Sequence, residues 1–238
     1  MADERPGQTA DPLEVALRLL RADAPAQIIG APQAWPRWAV LLPHVLAATG
    51  HADHASSRLG PAVMAEAAWL LDRAGAYLRV QAQFTDAKTL LERALAIDEA
   101  AYGPDHPDVA RDLNNLAQIL QDLGDVAGAR PLQERALAID EAAYGPDHPE
   151  VGADLNNLAA LLQDLGDVAG ALPLQERALA VTDAAYGPDH PEVATRLNNL
   201  ATLLQDLGDV AGARPLQERA LAVYEAAYGP DQDRKSVV

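Results

Sequence analysis

A repeat of 42 residues constrains this chain more than any other feature of its sequence. The tyrosine of an Ala-Tyr-Gly-Pro-Asp string recurs at positions 102, 144, 186 and 228, and residues 109–150 differ from 151–192 at only 8 of 42 positions. Such a period predicts stacked copies of one small unit, because no single copy can bury its apolar face alone.

Each copy of the repeat predicts two helices. The first, helix A, begins at His106-Pro107, since a proline at the first helical position lacks only a donor that would be unpaired anyway. Its apolar residues follow helical spacing and are Leu113, Leu116, Ala117, Leu120 and Leu123. Gly124 is predicted to end helix A, and Asp125 to cap a second helix, helix B, that runs to about Tyr144.

Three prolines conflict with an uninterrupted helix B. Pro131, Pro173 and Pro215 fall about six residues after its predicted cap, where a proline removes one backbone hydrogen bond. Two interpretations remain open at this point: helix B begins late, or its first turns are kinked.

Composition favours an all-α protein and excludes several classes of function. Hydrophobic residues make up 49% of the chain and aromatic residues 4%, so alanine and leucine form the core, which suits close-packed helices. The formal charge of 18 − 35 = −17 argues against nucleic acid or an anionic membrane as partner. There is no cysteine, no long apolar run and no signal peptide, which predicts a cytoplasmic protein.

The sequence contains no catalytic constellation. It lacks a phosphate-binding Gly-x-x-x-x-Gly-Lys-Ser/Thr loop, a His-Glu-x-x-His motif and a cysteine nucleophile, so we expect no enzyme activity, no cofactor and no metal. His51 and His54 are interpreted as exposed histidines of a loop over residues 50–61. The periodic His106, His148 and His190 are predicted to serve turns and caps, and the many acidic residues a solvated surface.

The repeats resemble the tetratricopeptide repeat, in the 42-residue form of kinesin light chains. The resemblance covers roughly residues 67–232 and is carried by Leu116-Ala117, Gly124, Ala129, Ala136-Leu137 and the Gly-Pro-Asp-His-Pro link. It implies an all-α fold, a right-handed α-solenoid of stacked antiparallel helix pairs. The chain departs from the family where helix B commonly has an aromatic residue and this sequence has Gln133, Gln175 and Gln217.

Three regions are expected along the chain. Residues 1–61 form a helical N-terminal cap or linker, and residues 62–232 form about four repeats, of which the first is degenerate. Residues 233–238 match the translation of a common sequencing adapter, and Gln232 stands where the repeat predicts histidine. We therefore expect that this last segment is an artefact and that the gene is cut within a repeat, which the underlying nucleotides test directly.

A short stretch before the repeats carries a second resemblance. Trp35-Pro-Arg-Trp-Ala-Val-Leu-Leu-Pro-His-Val-Leu46 resembles the segment that precedes the repeats of bacterial STAND-type signalling NTPases. This likeness implies that the repeats are the sensor or adaptor part of a larger bacterial protein with a fused NTPase domain.

The side of helix A opposite the leucines provides the candidate binding site. In the tetratricopeptide family this side lines a concave groove, and the resemblance implies that the groove binds an extended peptide or protein segment. The candidate residues are Arg111, Asn114, Asn115, Gln118, Gln121, Asn156, Asn157, Gln163, Thr195, Asn198, Asn199, Thr202 and Gln205. An amide side chain suits this role because it offers a donor and an acceptor to a peptide group of any sequence.

Two roles stay open for the second asparagine of each pair, at positions 115, 157 and 199. The resemblance implies that it clamps the peptide backbone, whereas the alternative is that it ties helix A to a neighbouring backbone group. Asp122, Asp164 and Asp206 continue the same side and favour a basic ligand. The alternative to peptide binding is a self-assembling scaffold, because near-identical repeats with an unfinished end can stack end to end.

Overall fold

The computed structural model describes residues 11–56 and 58–229. This part of the chain is helical, without a strand. The helices are α1 (Pro12–Asp23), a short 3-10 helix (Pro32–Ala34), α2 (Trp35–Ala55), α3 (Pro61–Val80), α4 (Phe84–Tyr102), α5 (Pro107–Asp122), α6 (Val126–Tyr144), α7 (Pro149–Asp164), α8 (Val168–Tyr186), α9 (Pro191–Asp206) and α10 (Val210–Tyr228). The segment 233–238, expected to be an artefact, lies outside the described residues, as does the predicted end of the last repeat.

The helix boundaries of the repeats confirm the sequence predictions. Nδ1 of His106, His148 and His190 accepts the backbone N–H of the residue two positions later, at 3.2, 3.3 and 3.2 Å. The same rings stack on the tyrosine four residues before them, with centroids 4.5–4.7 Å apart. A glycine with positive φ, such as Gly145 at 88°, ends each helix B. The periodic histidines therefore cap helices, as predicted.

Helix B begins early in each repeat, so the interpretation that it begins late is wrong. Asp125, Asp167 and Asp209 accept the N–H three residues on, at 2.9–3.0 Å, and this cap fixes the first turn. Pro131 and its two equivalents consequently lie inside α6, α8 and α10. The helix tolerates one missing backbone bond there because packing against an adjacent helix A holds it in place.

The predicted loop over residues 50–61 is wrong in its first half, because α2 continues to Ala55. The Thr49 hydroxyl donates to the Val45 carbonyl at 2.9 Å inside the helix. Ala52 and Ala55 then bury their methyl groups, which favours continued helix over an exposed loop. His51 and His54 are therefore helical residues.

The chain divides into two compact units, residues 1–123 (unit 1) and 124–238 (unit 2). In unit 1, α1 and α2 pack against α3, and α4 packs against both α3 and α5. Trp38 is fully buried; its indole N–H donates to the Pro25 carbonyl at 3.0 Å and its ring stacks on Tyr77. This anchor holds the segment before α2 against the first helix pair.

In unit 2, successive helices α6 to α10 pack against each other. Leu155 and Val151 of α7 bury themselves against Ala178 of α8. Leu203 of α9 meets Ala159 and Ala171 in the same way. The alanines allow the helix axes to approach closely while the leucines fill the space between them. The core of each unit thus lies on the leucine side of helix A, leaving the opposite side to polar residues.

Candidate functional site

The predicted site residues form a polar stripe along α5, α7 and α9 that is less buried than the leucine side of the same helices. We call this stripe the amide face of each unit. Three of them are exposed: Asn198, Thr202 and Gln205. The half-buried members are Arg111, Asn114, Asn115, Gln118, Gln121, Asn156, Asn157, Gln163, Thr195 and Asn199. The structure places the first five of the set in unit 1 and the other eight in unit 2.

In unit 1, side chains from α3 contact the amide face. Asn115 Nδ2 donates to Asp72 Oδ1 at 2.6 Å, and Arg79 donates to both Gln118 and Asp122 at 2.5 Å. These bonds join α3 to α5. Because Arg79 balances the charge of Asp122, that carboxylate offers less attraction for a basic ligand than the sequence suggested.

In unit 2, Asn199 Nδ2 donates to Asn156 Oδ1 at 2.7 Å. The second asparagine of one repeat thus bonds to the first asparagine of the repeat before it, which joins α9 to α7. The bond has the same place in the repeat as that from Asn115 to Asp72. The chain of side-chain bonds supports the structural role for positions 115 and 199, with a side-chain acceptor in place of a backbone group.

A buried glutamine of helix B supports this asparagine pair. Gln175 is only 2% exposed, and its Nε2 donates to Asn156 Oδ1 at 3.3 Å and to the Arg196 carbonyl at 3.5 Å. Gln133 is buried to the same extent, whereas Gln217 is exposed. Gln175, which stands where the family commonly has an aromatic residue, therefore forms a polar bridge from α8 to α7 and α9, a role that the sequence did not predict.

The last turns of α7 and α9 also join through side chains. Gln163 Nε2 donates to Asp206 Oδ2 at 2.5 Å, and this neutral partner leaves the carboxylate its charge. The Thr195 hydroxyl lies 2.8 Å from the Tyr224 hydroxyl, and the Thr202 hydroxyl bonds to the Asn198 carbonyl of its own helix. The amide face of unit 2 therefore combines half-exposed amides with an exposed acidic end.

Five of the described acidic residues contradict the expectation of a uniformly solvated acidic surface, and one of them, Asp72, pairs with Arg73. Asp98 and Asp112 are buried together in unit 1, and Asp140 and Asp154 in unit 2, each no more than 5% exposed. Burial disfavours two negative charges side by side, so each pair favours a proton on one of its two carboxyl groups. Burial raises the pKa of Asp112 to about 8, against the lowering effect of Arg111, and burial also raises the pKa of Asp140.

No metal or membrane feature emerges within residues 11–56 and 58–229. No group of three or more histidine, cysteine, aspartate or glutamate side chains is arranged to hold a metal ion in this part of the chain. None of the described helices combines the length and the apolarity needed to cross a membrane.

These features define an all-α protein of repeated helix pairs with a polar face on each helix A, which confirms the predicted fold class. The tetratricopeptide repeat model matches residues 66–142, 113–167 and 153–226, and the chain belongs to the tetratricopeptide repeat family. Repeats of this family are protein-interaction modules.

Several solved structures share this fold at low sequence identity. A putative kinesin light chain with nearly identical repeats from Podosopora anserina is 21% identical, with a TM-score of 0.69, over 93% of this chain and 99% of that one. BtubC (BKLC) of P. vanneervenii is 20% identical, with a TM-score of 0.68, over 92% and 93%. RapI is 14% identical, with a TM-score of 0.64, over 78% and 65%. No curated protein matches the sequence.

Proposed function

We propose that the amide face binds an extended peptide segment of a protein partner, and that the chain has no catalytic activity of its own. The observation that carries this proposal is the pairing of Asn156 with Asn199. The oxygen of Asn156 already accepts from Asn199 and Gln175, so what Asn156 offers a ligand is its N–H donors. Asn199 uses one donor in this pair and offers its oxygen. A donor and an acceptor held side by side match the C=O and N–H of one peptide group.

We further propose that the bound segment is basic. Asp206 lies in the last turn of α9, where the carbonyl end of the helix adds partial negative charge. Its hydrogen-bond donor Gln163 is uncharged, so an incoming lysine or arginine does not have to displace a cation. A basic residue near the end of α9 would fix the direction in which the peptide lies.

Replacing both asparagines of the pair should weaken peptide binding. With a labelled peptide selected from a random twelve-residue library, Asn156→Ala with Asn199→Ala should raise the Kd roughly tenfold or more, since two hydrogen bonds of about 1 kcal/mol each are lost. Fluorescence anisotropy measures the Kd, and circular dichroism checks the helix content.

The matched control removes an amide from another surface. Gln217→Ala deletes the exposed equivalent of Gln175 on α10 and should leave the Kd unchanged. An unchanged Kd in the asparagine double variant would contradict the proposed site. If the library enriches no peptide at all, peptide binding by this chain is contradicted.

Self-association is the alternative function, and exposed apolar side chains on α10 favour it. Leu221 is 47% exposed, whereas Leu179, its equivalent one repeat earlier, packs against a buried cluster that contains Val193, Leu197 and Ala220. A second copy covering α10 predicts a mass that rises with concentration in light scattering and falls to that of a monomer in Leu221→Ser. A monomeric wild-type chain at all concentrations rules this alternative out.

We also propose that the chain is the sensor or adaptor part of a larger bacterial signalling protein in the cytoplasm. The resemblance of the segment from Trp35 to Leu46 to STAND-type NTPases supports this context, and the absence of cysteine suits a reducing compartment. The genomic locus tests it: a phosphate-binding loop should be encoded in frame with this sequence. A complete gene without one would contradict the fused NTPase.

A further inference from the structure

A cavity of about 310 Å³ opens in unit 1 among α1, α3, α4 and α5. Its polar and aromatic lining consists of Arg21, Glu66, Trp69, Asp98, Tyr102, Asp108 and Arg111. Of these residues, sequence analysis singled out only Arg111. The volume lies at the small end of the range for ligand sites, so it suits one side chain better than a cofactor.

The arginines around this cavity are already paired. Arg21 of α1 donates to Glu66 at 3.0 Å, and its guanidinium lies over the Trp69 ring, 3.2 Å from the centroid. Arg111 donates to Asp108 at 2.5 Å and lies 3.5 Å from Asp98. An anionic ligand would have to compete with these carboxylates for both guanidinium groups.

The charge balance of the cavity is negative. The carboxyl groups of Glu66, Asp98, Asp108 and the adjoining Asp112 face the guanidinium groups of Arg21 and Arg111. Burial raises the pKa of Asp98 and Asp112, and one proton held by this pair leaves three negative charges against two positive ones. Asp98 is 3% exposed, so its charge is little screened by water. On α3, Asp72 pairs with Arg73 and adds no net charge. A cation entering here meets carboxylates on three helices and an aromatic wall.

We infer that this cavity receives the cationic side chain of an arginine or lysine from a segment bound on unit 1. The inference rests on the proposed function in so far as the side chain belongs to a peptide. The cation would lie near Asp98 and Asp108, with the ring of Tyr102 beside it. Its charge would replace the shared proton as the partner of the buried Asp98–Asp112 pair, so binding should release a proton at neutral pH.

The probe is Nα-acetyl-arginine N-methylamide, with the citrulline analogue as an uncharged match of the same shape and the lysine analogue as a second cation. Trp69 reports occupancy by NMR, since the indoles of Trp35 and Trp38 donate to backbone carbonyls elsewhere. We expect the cationic probes to bind at least about tenfold more tightly than the citrulline probe, because a buried ionic contact is lost in the latter. Calorimetry in buffers of different ionisation enthalpy should detect proton release.

The control variant comes from the next repeat. Asp98→Asn should weaken arginine binding at least about tenfold, because the hydrogen bond to a charged acceptor is lost. Asp140→Asn changes the equivalent member of the other buried pair, carries the same risk to folding, and should leave binding unchanged. Should Asp98→Asn not fold, Asp108→Asn at the rim and its counterpart Glu150→Gln form a second matched pair.

Equal binding of the arginine and citrulline probes, or full affinity in Asp98→Asn, would overturn the inference. Either result leaves the peptide-binding proposal for Asn156 and Asn199 untouched, because that proposal is tested by a separate experiment. Conversely, an arginine probe that binds in an Asp98-dependent way while no library peptide binds would refute the proposed function and keep the cavity as a cation site.

Discussion

Raising the pH from about 5 to about 8 should lower the free energy of unfolding of this protein, and Asp112→Asn should remove much of that loss. Asp112 is fully buried beside Asp98, so its ionised form lacks the water that would stabilise the charge. Over this pH range the folded state therefore holds a proton that the unfolded state, with the ordinary pKa of 3.8, has already lost.

The direction follows from the pKa of Asp112, which burial raises from 3.8 to about 8. A group whose pKa is higher in the folded state binds more protons there, so its contribution is fully present below pH 3.8 and is lost as the pH rises to about 8. In the variant, asparagine donates a permanent N–H to Asp98 without needing that proton. Asp98 can then stay ionised opposite Arg111.

Urea unfolding followed by circular dichroism at several pH values measures this effect. At pH near 8 the variant should be more stable than the wild type by about 1–3 kcal/mol, the cost of two buried carboxyl groups that lack a proton between them. Asp53→Asn, which changes a half-exposed carboxylate on α2, serves as a control and should keep the wild-type slope. A variant with the same pH dependence as the wild type would show that the pair is ionised without penalty.

The helix boundaries were predictable because each depends on residues next to each other in sequence. His106 and Pro107 start α5, Asp125 caps α6 and Gly145 ends it, all through contacts within a few residues. The proline within helix B left two interpretations. The aspartate cap favours an early start of the helix, whereas the proline disfavours a regular helix at its own position. Tertiary packing decided between them, and no local pattern reports its strength.

The buried acidic pairs were missed although the sequence holds a signal for them. Asp112 is three residues after the buried Val109 and directly before the buried Leu113, which places it on the apolar side of helix A. Asp98 likewise follows Ile97 on the inner side of helix B. An acidic residue at such a position predicts a buried charge, but its partner lies on another helix and is not evident from spacing alone.

The amide face was predictable as a stripe but not as a network. Helical spacing places Asn156 and Asn199 on the polar side of their helices, and the structure finds them there. Their mutual bond joins residues 43 apart, which depends on how one helix A lies against the next. The position of Gln175 was also not predictable from local sequence. A polar side chain in helix B suggests exposure to solvent, but Gln175 is buried.

Truncating Leu155 to alanine should cause the largest loss of stability among single changes in unit 2, about 3 kcal/mol, because the cavity it leaves cannot close fully. Leu155 is fully buried and lies in one cluster with Val151 and Ala178. Since stability in repeat proteins comes mainly from neighbouring elements, hydrogen exchange should quicken most in α6, α7 and α8.

Leu221→Ala on α10 is the matched control, because the same side chain is 47% exposed there. It should cost less than about 0.5 kcal/mol, as expected for a surface position. Equal losses in the two variants would mean that the Leu155 site is no better packed than the surface. A loss for Leu221→Ala that grows with protein concentration would instead indicate that a second copy covers α10, because only association makes the burial of that side chain depend on concentration.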